Sequence, residues 1–134
     1  LVRDPETMLY RKCIEMIKLL TIYLNHFPKH EKYALCTQIK NSALLVFELI
    51  VEGEKKYQKK SSLTNLDIAH EKLRMYLRLA YELGYFRFKD GKESTQDGEK
   101  IEMHRFLAIT NLNNELGKMI GGWIKKSKED GTYR

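Results

Sequence analysis

The chain has 134 residues, 31% of them charged and 43% hydrophobic, with two prolines and two cysteines. That length suits one domain burying about two-thirds of its unfolded surface, and the composition is that of a globular rather than a disordered chain. Lysine and arginine outnumber aspartate and glutamate by 24 to 18, a net charge of +6 that favours an acidic partner, nucleic acid being the commonest.

Pro5 follows Asp4, a residue suited to capping, and opens a first helix predicted over about 6–25. Leu9, Cys13, Ile17, Leu20 and Leu24 form its stripe, widened by Met16, Leu19 and Tyr23 toward two neighbours. Phe27-Pro28 ends it, because the residue before proline is pushed out of the helical region. A second helix, over 29–55, returns antiparallel with Tyr33, Cys36, Ile39, Ala43, Val46, Phe47 and Ile50 inward. Leu44, Leu45, Leu49 and Val51 make its later half apolar nearly all round. Such a helix is either the centre of a bundle or the cover of an interface with another subunit.

Glu52-Gly53-Glu54 loosens that helix before Lys55-Lys56-Tyr57-Gln58-Lys59-Lys60, the densest basic run in the chain. Lysines around an aromatic suit phosphate neutralisation with base stacking; a solvated connection is the plainer reading. Ser61, Ser62 or Thr64 can cap a third helix over 63–84, with Thr64-x-x-Asp67 approximating a capping box. Leu66, Ala69, Leu73, Tyr76, Ala80 and Leu83 point inward, opposite Glu71, Arg74, Arg78, Tyr81 and Tyr85. The guanidinium pair Arg74 and Arg78 suits phosphate, or equally ion pairing with Glu71 and Glu82. Residues 86–98 are polar, glycine-punctuated and without a stripe, which predicts a mobile loop.

The fourth helix, over 99–127, carries Met103, Phe106, Ile109, Leu112, Leu116, Met119 and Trp123 on its inner face, with a frayed tail beyond. Its end holds Gly117 and Gly121 one turn apart, each costing roughly 1 kcal/mol against alanine. A helix that keeps such a pair needs a close neighbour on that face. Lys118, Lys125, Lys126 and Lys128 exclude a membrane-spanning reading of the Gly-x-x-x-Gly. The fold expected is an all-α, antiparallel up-and-down four-helix bundle filling 1–134.

No run of 18 uncharged apolar residues occurs, and Leu1-Val2-Arg3-Asp4-Pro5 lacks the form of a signal peptide, so a cytoplasmic protein is expected. Cys13 and Cys36 fall on apolar stripes and read as buried free thiols. His26, His30, His70 and His104 make no metal-ligand spacing, and neither a phosphate-binding glycine loop nor a nucleophile set can be assembled. No cofactor, no metal and no enzymatic activity are expected.

Several segments carry a resemblance over nearly the whole chain. They are Phe27-Pro28-Lys29, Tyr33-Ala34-Leu35, Gln38-Ile39-Lys40-Asn41-Ser42-Ala43, Ile50-Val51-Glu52-Gly53 and Leu73-Arg74-x-x-Leu77-Arg78-Leu79-Ala80. The most specific is the closing Glu115-Leu116-Gly117-Lys118-Met119-Ile120-Gly121-Gly122-Trp123. The chain resembles the four-helix-bundle family that includes the accessory variability determinant (Avd) proteins of diversity-generating retroelements. The family's other branch is encoded in intervening sequences of bacterial 23S ribosomal RNA genes. That branch usually carries Pro-x-Asn before Glu-Gly in helix 2, which residues 44–51 lack.

The resemblance implies a pentameric, barrel-like homo-oligomer with a basic surface and no catalytic residues. It acts with a reverse transcriptase and its template RNA in mutagenic cDNA synthesis; the alternative is a ribosome-associated structural protein of the other branch. By analogy Lys55, Lys56, Tyr57, Lys59, Lys60, Arg74, Arg78, Lys125, Lys126 and Lys128 become positions for RNA or DNA contact. Leu44, Leu49, Gly117, Gly121 and Trp123 become helix-packing or subunit-interface positions.

Overall fold

A computed structural model describes residues 5–134, with side chains from residue 8 onward. Its four long helices are α1 (Pro5–His26), α2 (Leu35–Lys55), α3 (Lys60–Glu82) and α4 (Gly98–Asp130). Each packs on its neighbours in sequence and α4 closes against α1, giving the expected up-and-down bundle. The cap expected from Asp4 lies outside the described residues.

The core follows the apolar stripes. Leu9, Cys13, Met16 and Leu20 of α1, Ile39, Val46 and Ile50 of α2, Leu63, Leu66, Leu73 and Leu77 of α3, and Ile109, Leu116, Ile120 and Trp123 of α4 are buried. Each of the larger aliphatic side chains contributes roughly 1.5–3 kcal/mol by leaving water. One end is sealed by aromatic rings. Phe27 meets Phe86 edge-on at 5.3 Å, Phe86 meets Phe106 at 5.8 Å, and Tyr81 stacks on Phe106 at 4.2 Å.

Several expectations are corrected. The second helix does not begin at residue 29: a 3-10 turn, Lys29–Glu31, precedes α2, and Ala34 (φ −122°, ψ −100°) re-aims the chain between them. That break shifts the register, so Tyr33, expected in the core, is 86% exposed. Leu83 and Met103 also face water, Leu77 taking the inner position on α3. Gly53 does not loosen α2. It lies within the helix against the indole of Trp123, whose Cη2 would stand 2.9 Å from an added Cβ.

Residues 86–98 form no featureless loop. Phe88–Lys89 (β1) pairs antiparallel with Lys92–Glu93 (β2) around Asp90-Gly91, both at positive φ, a turn that matches strand twist. Arg105 Nη1 donates to Phe88 O at 2.6 Å, and Gly91 N donates to His26 O at 3.1 Å, pinning the hairpin to α4 and α1. The Arg87 guanidinium donates to the buried Glu102 carboxylate at 2.5 Å, which also holds the arginine's pKa above its ordinary value.

The tail is not frayed either. Gly131 (φ +82°) turns the chain after α4, and Asp130 Oδ1 accepts from Thr132 N and Oγ1 at 3.0 and 2.6 Å. Lys59 N then donates to Thr132 O (2.7 Å) and Lys60 N to Arg134 O (3.3 Å). Tail carbonyls therefore take the place of the Ser61, Ser62 or Thr64 caps expected for α3, which has no side-chain cap. Ser62 is buried and donates instead to Glu52 on α2 at 2.8 Å, and Thr64 Oγ1 meets Tyr133 Oη at 3.3 Å.

Candidate nucleic-acid interface

The tail contacts bring two basic segments to one end of the bundle. Residues 52–60 and 125–134 hold eight lysine and arginine side chains, Lys55, Lys56, Lys59, Lys60, Lys125, Lys126, Lys128 and Arg134, against four carboxylates. An excess of +4 there, out of +6 for the chain, creates self-repulsion that a polyanion would relieve. Tyr57 is 76% exposed beside these lysines, free to stack.

Not every lysine of the run is available. Lys59 Nζ turns back onto the end of α2 and donates to Gly53 O and Lys56 O, both at 2.5 Å. These carbonyls end a helix, where its dipole favours a cation, so Lys59 is a C-terminal cap. Lys56 makes a loose exposed pair with Glu52 at 3.6 Å. Lys55, Lys60, Lys125, Lys126 and Lys128 are exposed, with Lys128 Nζ 5.0 Å above the Tyr133 ring. Asp130 is held below its ordinary pKa mainly by its bonds from Thr132, with smaller help from the charges of Lys126 and Lys59.

Arg74 and Arg78 lie elsewhere. They are 14 and 18 residues along α3 from Lys60, about 21 and 27 Å at 1.5 Å per residue. Arg74 makes a two-pronged bond to Glu71, raising its own pKa and lowering that of the carboxyl, and Arg78 Nε donates to Glu82 at 2.9 Å. Ion pairing, the alternative to phosphate contact, is what the chain itself provides. Exposed pairs of this kind contribute little to stability and yield readily to a competing anion. Both arginines border a groove of about 360 Å³ with Phe106 and Asn113, and the Asn113 amide is buried with neither polar atom bonded.

The expected packing positions divide. Leu49 and Trp123 belong to the chain's own core, whereas Leu44 is half exposed beside an apolar groove of about 210 Å³ with Ile17 and Leu20. Gly117 has a close neighbour: an added Cβ would stand 2.8 Å from His70 Cε1. At Gly121 no described atom beyond its own stretch of helix backbone would lie within 4 Å, so the close approach expected of both glycines within the chain occurs at one.

The model of one protein family, described as bAvd-like, matches residues 7–127. The chain belongs to the bAvd-like family. No curated protein and no solved structure matches it. The match spans all four helices and includes the 55–60 run, Arg74, Arg78, Gly117, Gly121, Trp123, Lys125 and Lys126, stopping before Lys128. It makes this an Avd-like four-helix bundle and an Avd-like accessory protein.

Among the described residues of this bAvd-like chain, no three His, Cys, Asp or Glu side chains gather to hold a metal, and no helix is long and apolar enough to cross a membrane. Cys13 and Cys36 are free and buried, as expected, and desolvation pushes the Cys13 thiol up to about 12. Sequence reasoning missed a second basic-aromatic cluster. Lys29, Lys32, Tyr33 and Lys40 line a groove of about 560 Å³ at the α1–α2 turn. The signal lay in Lys29, Lys32 and Tyr33 following Pro28, obscured by placing Tyr33 in the core.

Proposed function

We propose that this bAvd-like protein is a non-catalytic, nucleic-acid-binding accessory protein of a diversity-generating retroelement. It associates with the element's reverse transcriptase and template RNA and supports mutagenic cDNA synthesis. The family match carries this reading; the +4 concentrated on one end of the bundle, beside the exposed Tyr57, supports the nucleic-acid part. Lys55, Lys56, Lys60, Lys125, Lys126 and Lys128 contact backbone phosphates, and Lys59 holds the loop that presents them. Arg74 and Arg78 form a separate contact that exchanges Glu71 and Glu82 for phosphate.

The working form is a homo-oligomer, a pentamer by the resemblance, and Leu44, Leu45 and Ile22 supply the exposed apolar surface such a ring would cover. Reconstitution tests the function. Purified protein is mixed with a retroelement reverse transcriptase and template RNA, and cDNA is sequenced. The account predicts co-elution of the three and mutagenic cDNA only when the protein is present. An enzyme that neither binds the protein nor changes its product in its presence would overturn it, and selective binding to 23S ribosomal RNA would favour the family's other branch.

A further inference from the structure

The opposite end of the bundle carries the groove that sequence reasoning missed. Tyr33 stands at its rim, 86% exposed, with Lys29, Lys32 and Lys40 around it and Phe27 and Pro28 in its floor. Lys32 Nζ sits 5.5 Å from the centre of the Tyr33 ring. The three lysines form no ion pair among the described residues, and the one carboxylate within residues 25–40 is Glu31. Glu31 has other partners: its Oε2 accepts from Leu35 N at 3.1 Å, satisfying an otherwise orphaned N–H at the start of α2, and its Oε1 lies 3.6 Å from His30 Nε2, while Asp90 at the hairpin tip lies 3.3 Å from His26 Nδ1. The tip of the hairpin packs beside the groove, an added Cβ on Gly91 standing 3.0 Å from Lys29 Cγ.

An exposed tyrosine costs a protein apolar contact with water, and three unpaired lysines beside it add repulsion. We propose that this groove is a second single-stranded nucleic-acid subsite, in which a base stacks on Tyr33 and the flanking phosphates meet Lys29, Lys32 and Lys40. The proposal rests on the nucleic-acid reading above and adds a contact at the other end of α2, about 31 Å from the first over 21 residues. A protein partner fits less well. Protein interfaces are depleted in lysine, whereas single-strand sites combine a lysine-rich groove with an aromatic platform.

The test uses Tyr33→Trp, since the native Trp123 is 2% exposed and gives a constant background. A single-stranded RNA of about six nucleotides, the lower range of such sites, should quench the introduced indole, and an abasic phosphodiester of equal length should not. In a Lys55→Ala/Lys56→Ala/Lys60→Ala background, adding Tyr33→Ala should weaken the remaining binding about 5- to 150-fold, the range of one stacked base. Adding Tyr33→Trp in its place should preserve it. If the indole is insensitive while unmodified protein binds the RNA, the second subsite is overturned and the first stands. If the unmodified protein binds no single strand even at low salt, the broader reading falls with it. An indole that responds to the reverse transcriptase but not to nucleic acid would assign the groove to protein docking and overturn the proposal.

Discussion

Three glycines in helices meet three different surroundings, so alanine at each position gives a graded test of the packing. In a helix interior the exchange gains about 1 kcal/mol from propensity alone. At Gly121 no described atom beyond its own stretch of helix backbone lies within 4 Å of the new methyl, so the full gain should appear. At Gly53 the methyl would stand 2.9 and 3.4 Å from Trp123 Cη2 and Cζ2 and 3.6 Å from Leu63 Cδ2. That indole is buried and cannot swing out, and overfilling of this kind costs typically 1–3 kcal/mol, leaving a net loss of about 0–2. At Gly117 the obstacle is His70, whose Nε2 is bonded to Asn113 O at 2.8 Å. Moving the ring also loosens that bond, worth about 1 kcal/mol, so Gly117→Ala should fall below Gly53→Ala. Urea unfolding at one fixed protein concentration measures all three. The expected order of stability is Gly121→Ala, unmodified, Gly53→Ala, Gly117→Ala, with a spread of about 2–4 kcal/mol. Equal stabilisation at Gly117 and Gly121 would refute the close approach of α3 and α4 at His70. Destabilisation at Gly121 would show that its face is covered by a second protomer.

Leu44→Glu should lower the mass seen by light scattering and leave the helical content intact, whereas Leu49→Glu, placing a charge in the bundle's own core, should unfold the chain. A monomer mass for the unmodified protein at micromolar concentration would contradict the assembly. Lys59→Ala should cost about 1–2 kcal/mol through the uncapped α2 carbonyls, and Lys60→Ala within about 0.5; equal effects would show that Lys59 is an ordinary surface lysine. Because burial raises the Cys13 thiol to about 12, the folded state holds its proton after the unfolded state has lost it. The contribution is therefore complete below an ordinary thiol pKa near 9 and is lost as pH climbs from there to about 12. Stability should fall across that window by up to about 1.4 kcal/mol per pH unit, and Cys13→Ala, though weaker at neutral pH, should flatten the decline. An unchanged slope would place the thiol in water.

The bundle was legible because its core is written in aliphatic residues at helical spacing, and Leu9, Ile39, Leu73 and Leu116 sit where their period puts them. The departures have separate physical causes. Tyr33 left the core because one turn of 3-10 helix breaks the phase that periodicity assumes to be continuous. The hairpin was missed although Asp90-Gly91 spells its turn, because two-residue strands are too short to show alternation. Glu102, Asn113 and Ser127 are buried on α4, and a reading that counts only apolar residues passes over them. The basic end was visible as composition in the 55–60 run and in Lys125, Lys126 and Lys128, but their meeting depends on backbone bonds from Lys59 and Lys60 to the tail, which leave no pattern in the sequence. The cap made by Lys59 is hidden for the same reason, since a lysine in a basic run looks like its neighbours.

The most direct test of the central claim is the salt dependence of binding to a single strand of about ten nucleotides, within the usual site size. Six available ammonium groups at the basic end predict a slope of log affinity against log salt near −4, at about −0.7 per neutralised phosphate. Lys55→Ala/Lys56→Ala/Lys60→Ala should reduce the slope to about −2 and weaken all sequences alike. Tyr57→Ala should leave the slope unchanged while weakening single strands more than duplex. Binding that ignores salt, or no binding to RNA or DNA at low ionic strength, would contradict the account and assign the basic end to an acidic protein surface.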